Sequence, residues 1–155
     1  MANTTTTKVT EDKIVGWFMD YVLEHEVIPK SVYKFCKDHK IKESEFYKYF
    51  GSFEGLRHRI WEKFYENTIS VMQKNKTYDV MSNEEKMLTF FFTFFESLTL
   101  NRSYDLFTLN EHKGRMEKLG QLKGLRNHIK DFATELIEER NSDKNLRILI
   151  RSPQI

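Results

Sequence analysis

Apolar residues recur at helical spacing along most of the chain, and the first such segment lies between residues 11 and 26. Its apolar positions are three or four residues apart, the pattern of an amphipathic helix with one buried face: Ile14, Val15, Phe18, Met19, Val22 and Leu23. Thr10 can cap the start of this helix, and Glu11 and Asp12 then lie where the helix dipole favours negative charge. Because Pro29 cannot continue a helix, the pattern predicts a first helix over residues 11–26.

Two short helices are predicted next. Ser31 can cap the second helix through its hydroxyl. After a turn of a few residues, a third helix is predicted over residues 43–50, where Phe46 and Phe50 are one helical turn apart and should face the core. Gly51 follows, and a glycine at this position is expected to take the left-handed conformation that ends many helices.

The remainder of the chain also has a helical pattern. Ser52 can cap a long fourth helix, and Ser82 with Glu85 fits the capping box that opens a fifth. Two further helices are predicted over residues 104–119 and 121–140, beyond which the apolar pattern fades. With only two prolines and six glycines in 155 residues, an all-α fold is favoured over a turn-rich β architecture.

Composition narrows the classes of protein that the chain can be. A single cysteine, Cys36, excludes a disulfide framework and a cysteine-based zinc site. Residues 1–10 are polar and lack the apolar segment of a signal peptide. The most apolar run, Met87–Leu100, is too short to span a bilayer, which needs about 20 residues. We therefore expect a cytoplasmic protein without a membrane span.

Net charge gives no independent argument for a nucleic-acid partner. The chain carries +2, and residues 1–60 hold ten Lys and Arg against nine Asp and Glu, a net +1. A DNA-binding head needs a local basic face rather than a large net charge. The order of the predicted helices is more informative, because a short helix that follows another after a tight turn can enter a major groove.

The segment at residues 31–56, SVYKFCKDHKIKESEFYKYFGSFEGL, resembles the helix-turn-helix of the TetR family. The most specific part is FYKYF at residues 46–50, followed by GSFEGL. The resemblance implies an all-α, TetR-like fold with a three-helix DNA-binding head and a helical C-terminal body for ligand binding and dimerisation. It divides the chain into a disordered leader at residues 1–9, a head at 10–54 and a body at 55–155 that is short for the family, as if truncated.

The resemblance also implies a function, that of a homodimeric repressor without a cofactor. Its partners would be a double-stranded DNA operator and a small apolar effector. Carried over to this sequence, the residues at the DNA interface are Ser31, Tyr33, Lys42, Glu43, Ser44, Tyr47, Lys48 and Tyr49.

Several positions depart from the family pattern. Lys40 stands where the turn normally has glycine, and Phe53 stands where a lysine usually contacts phosphate. Glu43 and Glu45 place two carboxylates on the predicted recognition helix. A carboxylate can accept a hydrogen bond from a cytosine amino group, but phosphates repel it. These departures bear on the strength of DNA binding and not on the fold.

The phenylalanine-rich run Met87–Glu96 allows two interpretations. In the first, it is a buried helix whose aromatic rings fill the core and dimer contacts. In the second, it lines an apolar effector pocket with a few polar groups for orientation. The residues predicted for such a pocket are Phe90, Phe91, Phe94, Phe95, Leu98, Arg102 and Tyr104.

One alternative function remains open from the sequence. A TetR-fold protein that does not read DNA and instead binds an apolar, lipid-like molecule would also explain Glu43, Glu45 and Phe53. An enzyme is not predicted, because the sequence has no nucleophile–base pair, metal-ligand spacing or glycine-rich phosphate loop.

Overall fold

Helices joined by short turns make up the described chain. The computed structural model describes residues 8–110, 120 and 122–151, with side chains described up to residue 142. Within these ranges every regular element is helical, which confirms the predicted all-α class. The helices are α1 (Glu11–His25), α2 (Val32–Asp38), α3 (Glu43–Tyr47), α4 (Phe53–Gln73), α5 (Asn83–Leu100), α6 (Arg102–Asn110) and α7 (Lys123–Arg151), with a 3-10 turn at Tyr78–Val80 before α5.

Hydroxyl side chains cap the starts of three of these helices, as the sequence predicted. Thr10 Oγ1 accepts a hydrogen bond from the backbone N–H of Lys13 at 3.3 Å, and Ser31 Oγ accepts one from Lys34 at 3.1 Å. Ser52 Oγ does the same for the N–H of Gly55 at 3.1 Å. Each cap of this kind is worth about 1 kcal/mol, so the boundaries of the first, second and fourth helices are specified locally.

The predicted capping box at the start of α5 is also confirmed. The backbone N–H of Ser82 donates to Glu85 Oε2 at 2.7 Å, and the N–H of Glu85 donates to Ser82 Oγ at 3.2 Å. The two residues thereby satisfy each other's free backbone donors at the helix start.

Two predicted helix ends are wrong. α3 ends at Tyr47 rather than at residue 50, because the N–H of Tyr49 bonds the Phe46 carbonyl three residues back and tightens the chain into a turn. Gly51 does not take a left-handed conformation, since no described glycine has a positive φ. At the other end of the chain, α7 continues to Arg151 instead of fading after residue 140. No glycine or proline interrupts residues 141–151, so nothing in the local sequence stops the helix.

The helices form two compact units. The first comprises the described residues up to Ile60 together with α6. Its core joins apolar residues from α1, α2, α3 and the start of α4: Ile14, Phe18, Val22, Phe35, Phe46 and Leu56. The half-buried Phe53 packs against three aromatic rings of this core, with ring centroids 5.6 Å from Phe18, 5.5 Å from Phe35 and 5.6 Å from Phe46.

The second unit comprises Trp61–Leu100 and α7. Phe90 and Phe94 of α5 are buried and stack at 5.7 Å, and Phe90 also lies 5.3 Å from Phe132 of α7. Asn83 Nδ2 donates to the backbone carbonyl of Leu136 and ties the start of α5 to α7. Of the helices within the described ranges, none combines the length and the apolar character required to cross a bilayer.

Candidate nucleic-acid interface

A tight turn after α2 sets the direction of α3. Lys40 has a φ of 56°, the left-handed conformation, and the N–H of Ile41 donates to the carbonyl of Cys36 at 3.0 Å. Lys40 stands where the family pattern has glycine, and it adopts the left-handed conformation that glycine takes without strain. For an L-residue this conformation costs roughly 1–2 kcal/mol, which the packing of α3 against the core must offset.

The helix α3 and the turn after it separate buried phenylalanines from exposed polar and aromatic side chains. Phe46 is fully buried and Phe50 is 5% exposed, which confirms the predicted inward direction of both. Tyr47 is 52% exposed and Lys48 is exposed beside it. This arrangement leaves a tyrosine and a lysine on the outer side of a short helix that is anchored from beneath.

All eight residues predicted for the DNA interface lie in the first unit. Seven of them have exposed or half-buried side chains on α2, α3 or their caps: Ser31, Tyr33, Lys42, Glu43, Ser44, Tyr47 and Lys48. The eighth, Tyr49, is 40% exposed, and its hydroxyl donates to the backbone carbonyl of Val9 at 3.2 Å. Their contact with DNA stays a prediction.

The two carboxylates of α3 differ in their surroundings. Glu45 Oε1 accepts a hydrogen bond from Lys48 Nζ at 3.1 Å. Glu43 is half-buried and lies close enough to Cys36 to act on its thiol. Burial, and secondly the charge of Glu43, raise the pKa of Cys36, so this buried thiol stays protonated.

Phe53, which stands where the family pattern has a lysine, packs its ring against the core. Its ring is surrounded by three other aromatic rings of the first unit. The departure from the family pattern at this position is therefore explained by core packing.

A basic cleft lies beside α3, and sequence reasoning identified only part of it. The cleft has a volume of about 1040 Å³ and is lined by five lysines: Lys8, Lys13, Lys40, Lys42 and Lys48. Glu45 is the acidic residue among its described lining residues. Only Lys42 and Lys48 were predicted to contact DNA, because the other lysines come from the N-terminal segment, α1 and the turn and meet them only in the folded unit.

Aromatic stacking forms the floor of this cleft. Trp17 stacks on His39 with ring centroids 4.6 Å apart and an interplanar angle of 11°. Burial lowers the pKa of His39, although the nearby Asp38 and Asp20 act in the opposite direction. His39 is therefore neutral at pH 7, and the positive charge of the cleft comes from its lysines.

The residues predicted for an effector pocket are divided between the two units. Phe90 and Phe94 are buried in the second unit, whereas Phe91 and Phe95 on the same helix are exposed and Leu98 is half-buried. The two predicted polar anchors, Arg102 and Tyr104, belong to α6 in the first unit; Arg102 is exposed and Tyr104 is buried. The pocket itself stays a prediction.

Two short helices around a tight turn, with a long helix behind them, define a helix-turn-helix protein. A family model described as "Tetracyclin repressor-like, C-terminal domain" matches residues 86–151, a range that begins in α5 and ends with α7. This match supports the TetR family that the resemblance of residues 31–56 implied, and the helical structure of the described residues agrees with it. Searches of curated proteins and of solved structures each found no match.

Proposed function

We propose that this protein is a homodimeric repressor that binds a double-stranded DNA operator and responds to a small apolar effector. The observation that carries the proposal is the shape of α3. Its phenylalanine is fully buried, while Tyr47 and Lys48 are exposed next to a lysine-rich turn. A short helix presented in this way is the element that enters a major groove in helix-turn-helix proteins.

The charges around α3 suit a phosphate backbone. Lys42 occupies the N-cap of α3, and its side chain is exposed at the surface. Lys48 is held by Glu45 at the surface, and an exposed pair of this kind is worth under about 1 kcal/mol. A phosphate can therefore replace the carboxylate as the partner of Lys48 at small cost.

A second copy of the chain is expected to cover the outer face of α5. Four large apolar residues at i, i+3, i+4 and i+7 spacing form an exposed stripe there: Leu88, Phe91, Phe92 and Phe95. Such a stripe is the pattern by which one helix packs against another.

We expect the double substitution Phe92→Ser, Phe95→Ser to convert a dimer into a monomer in sedimentation at micromolar concentration. Val80→Ser, at a more exposed apolar residue outside the stripe, is the control, and an unchanged dimer in the double variant would reject this interface.

The operator is tested by selection from a pool of random duplexes, followed by fluorescence anisotropy at several salt concentrations. We expect a palindromic site to be enriched, because each copy of a dimer reads one half of it. Lys42→Ala, Lys48→Ala should weaken binding and reduce the salt slope by about 2. The control variant Lys74→Ala, Lys76→Ala removes the same charge from exposed positions after α4. It should leave the operator affinity and the salt slope unchanged. If no palindrome is enriched and the first double variant binds like the wild type, the proposal is wrong.

The exposed phenylalanines of α5 also favour a second candidate, a TetR-fold carrier of an apolar, lipid-like molecule. Phe91, Phe92 and Phe95 present aromatic surface that a lipid chain could cover. Native mass spectrometry of freshly purified protein would then show a co-purified lipid. If the purified protein carries no lipid and binds its operator tightly, this candidate is rejected.

A further inference from the structure

We propose that the N-terminal segment Lys8–Thr10 is part of the DNA-binding surface, held in place by Tyr49 so that Lys8 and Lys13 join the lysines of the turn in one cleft for backbone phosphates. This inference rests on the proposed function and extends it to Lys8 and Val9, which the sequence predicted to belong to the leader outside the head.

Three hydrogen bonds fix the position of the segment. The Tyr49 hydroxyl donates to the Val9 carbonyl at 3.2 Å across 40 residues of sequence. Lys13 Nζ donates to the carbonyl of Lys8 at 3.2 Å, and the backbone N–H of Lys13 donates to Thr10 Oγ1. Residues that would otherwise lead loosely into α1 are therefore bound to the region just after α3.

The fixed segment forms one wall of the basic cleft. Lys8 and Lys13 lie on this wall, and Lys40 and Lys42 come from the turn between α2 and α3. Of the five lining lysines, only Lys48 forms an ion pair with a described residue. Four lysine charges thus face one concave surface, which attracts a polyanion rather than a single counter-ion.

The cleft is continuous with the outer surface of α3, since Glu45, Lys48 and Tyr49 line it as well. A DNA strand that leaves the groove occupied by α3 would pass directly over these lysines. The lining favours a phosphate backbone over a base, because it is rich in lysines and one face of Trp17 is already covered by His39.

Tyr49 is accordingly a positioning residue. Its hydroxyl already has a partner in Val9, so its effect on DNA passes through the segment that it holds. Tyr49→Phe removes this hydrogen bond and keeps the ring, which lies 6.4 Å from that of Phe50.

The test is a salt titration of operator binding by fluorescence anisotropy, with thermal melting to confirm that each variant is folded. Between 50 and 200 mM salt, the wild type should lose about tenfold more affinity than Lys8→Ala, Lys13→Ala, because two phosphate contacts are absent from the variant. Lys74→Ala, Lys76→Ala should behave like the wild type. Tyr49→Phe should weaken binding about threefold in the wild-type background and have no further effect in the Lys8→Ala, Lys13→Ala background.

The outcomes separate this inference from the proposed function. If the wild type binds its operator and Lys8→Ala, Lys13→Ala keeps the wild-type salt slope, the cleft assignment is wrong and the regulator remains. If Tyr49→Phe has the same effect in both backgrounds, its role is not to position the segment. If the wild type binds no duplex, both proposals are wrong. Competition by inorganic triphosphate at micromolar concentration would assign the cleft to a free polyphosphate and overturn the assignment to DNA.

Discussion

Phe53 offers a sharp test of how the head is stabilised. The family pattern favours a phosphate-contacting lysine at this position, yet here the ring packs against those of Phe18, Phe35 and Phe46 at 5.5–5.6 Å. Phe53→Lys restores the residue expected from the family and removes the centre of the aromatic cluster. We expect it to destabilise the protein rather than to improve it.

The size of the effect follows from the contacts. An aromatic pair is worth about 0.5–1.5 kcal/mol beyond its area burial, and the three pairs share one ring, so their losses do not simply add. Phe53 is half-buried, which limits the lost area, and lysine keeps part of the apolar stem. The free energy of unfolding should fall by about 2–3 kcal/mol, which lowers the melting temperature by roughly 4–12 °C in a chain of this length.

Circular dichroism during urea and thermal denaturation measures this loss. Tyr33→Lys makes a similar exchange at an aromatic residue that is 61% exposed on α2, and it should change stability by less than about 0.5 kcal/mol. Phe53→Leu keeps an apolar side chain, so its loss of stability should lie between those of Tyr33→Lys and Phe53→Lys. If Phe53→Lys melts at the wild-type temperature, the aromatic cluster does not hold the head together and the explanation of this departure is wrong.

Three further predictions concern single side chains of the first unit. Lys40→Gly should raise the free energy of unfolding by up to about 1 kcal/mol in urea denaturation, because glycine adopts the φ of 56° at this position without strain. Lys37→Gly, inside α2, should lower it by about 1 kcal/mol. Equal effects of the two substitutions would contradict the turn geometry. Burial raises the pKa of Asp105 to about 6 from 3.8, so this carboxyl destabilises the fold increasingly as pH rises from about 4 through 6. Asp105→Asn should therefore raise the free energy of unfolding by about 2 kcal/mol at pH 8 and by little at pH 4, and a gain that is the same at both would reject the reasoning. Cys36 should react with iodoacetamide far more slowly in the native protein than in urea, because burial raises the pKa of its thiol; equal rates would refute this.

Local signals in the sequence predicted the starts of the capped helices α1, α2, α4 and α5, and long-range packing determined what those signals missed. Thr10 and Ser31 cap their helices through residues three positions away, so a short window of sequence contains the whole interaction. Gly51 failed as a left-handed cap because the preceding turn closes through the Phe46 carbonyl. Its geometry depends on how Phe46 and Phe50 enter the core, which no local window specifies.

Counting charges along the sequence did not reveal the basic cleft, because long-range packing also forms this feature. Residues 1–60 are nearly neutral in total, and the lysines that line the cleft are separated by up to 40 residues of sequence. Only the reversal of the chain at Lys40, together with the Tyr49–Val9 hydrogen bond, brings Lys8 and Lys42 to one surface. A net charge of +1 is thus compatible with a strongly basic local face.

Of the two acidic residues of α3, which from sequence weighed against DNA binding, Glu45 is paired with a lysine at the surface. Glu45 is hydrogen-bonded to Lys48, so the two opposite charges largely offset each other at the surface. Glu43 lies near the buried Cys36, where its charge bears on the interior of the head. We therefore expect Glu45→Gln to leave operator affinity within about threefold of the wild type. The exposed Glu45–Lys48 ion pair is weak, so a phosphate can already replace Glu45 as the partner of Lys48 in the wild type. A gain of tenfold or more in anisotropy titrations would show that the carboxylate repels the DNA backbone in the wild type.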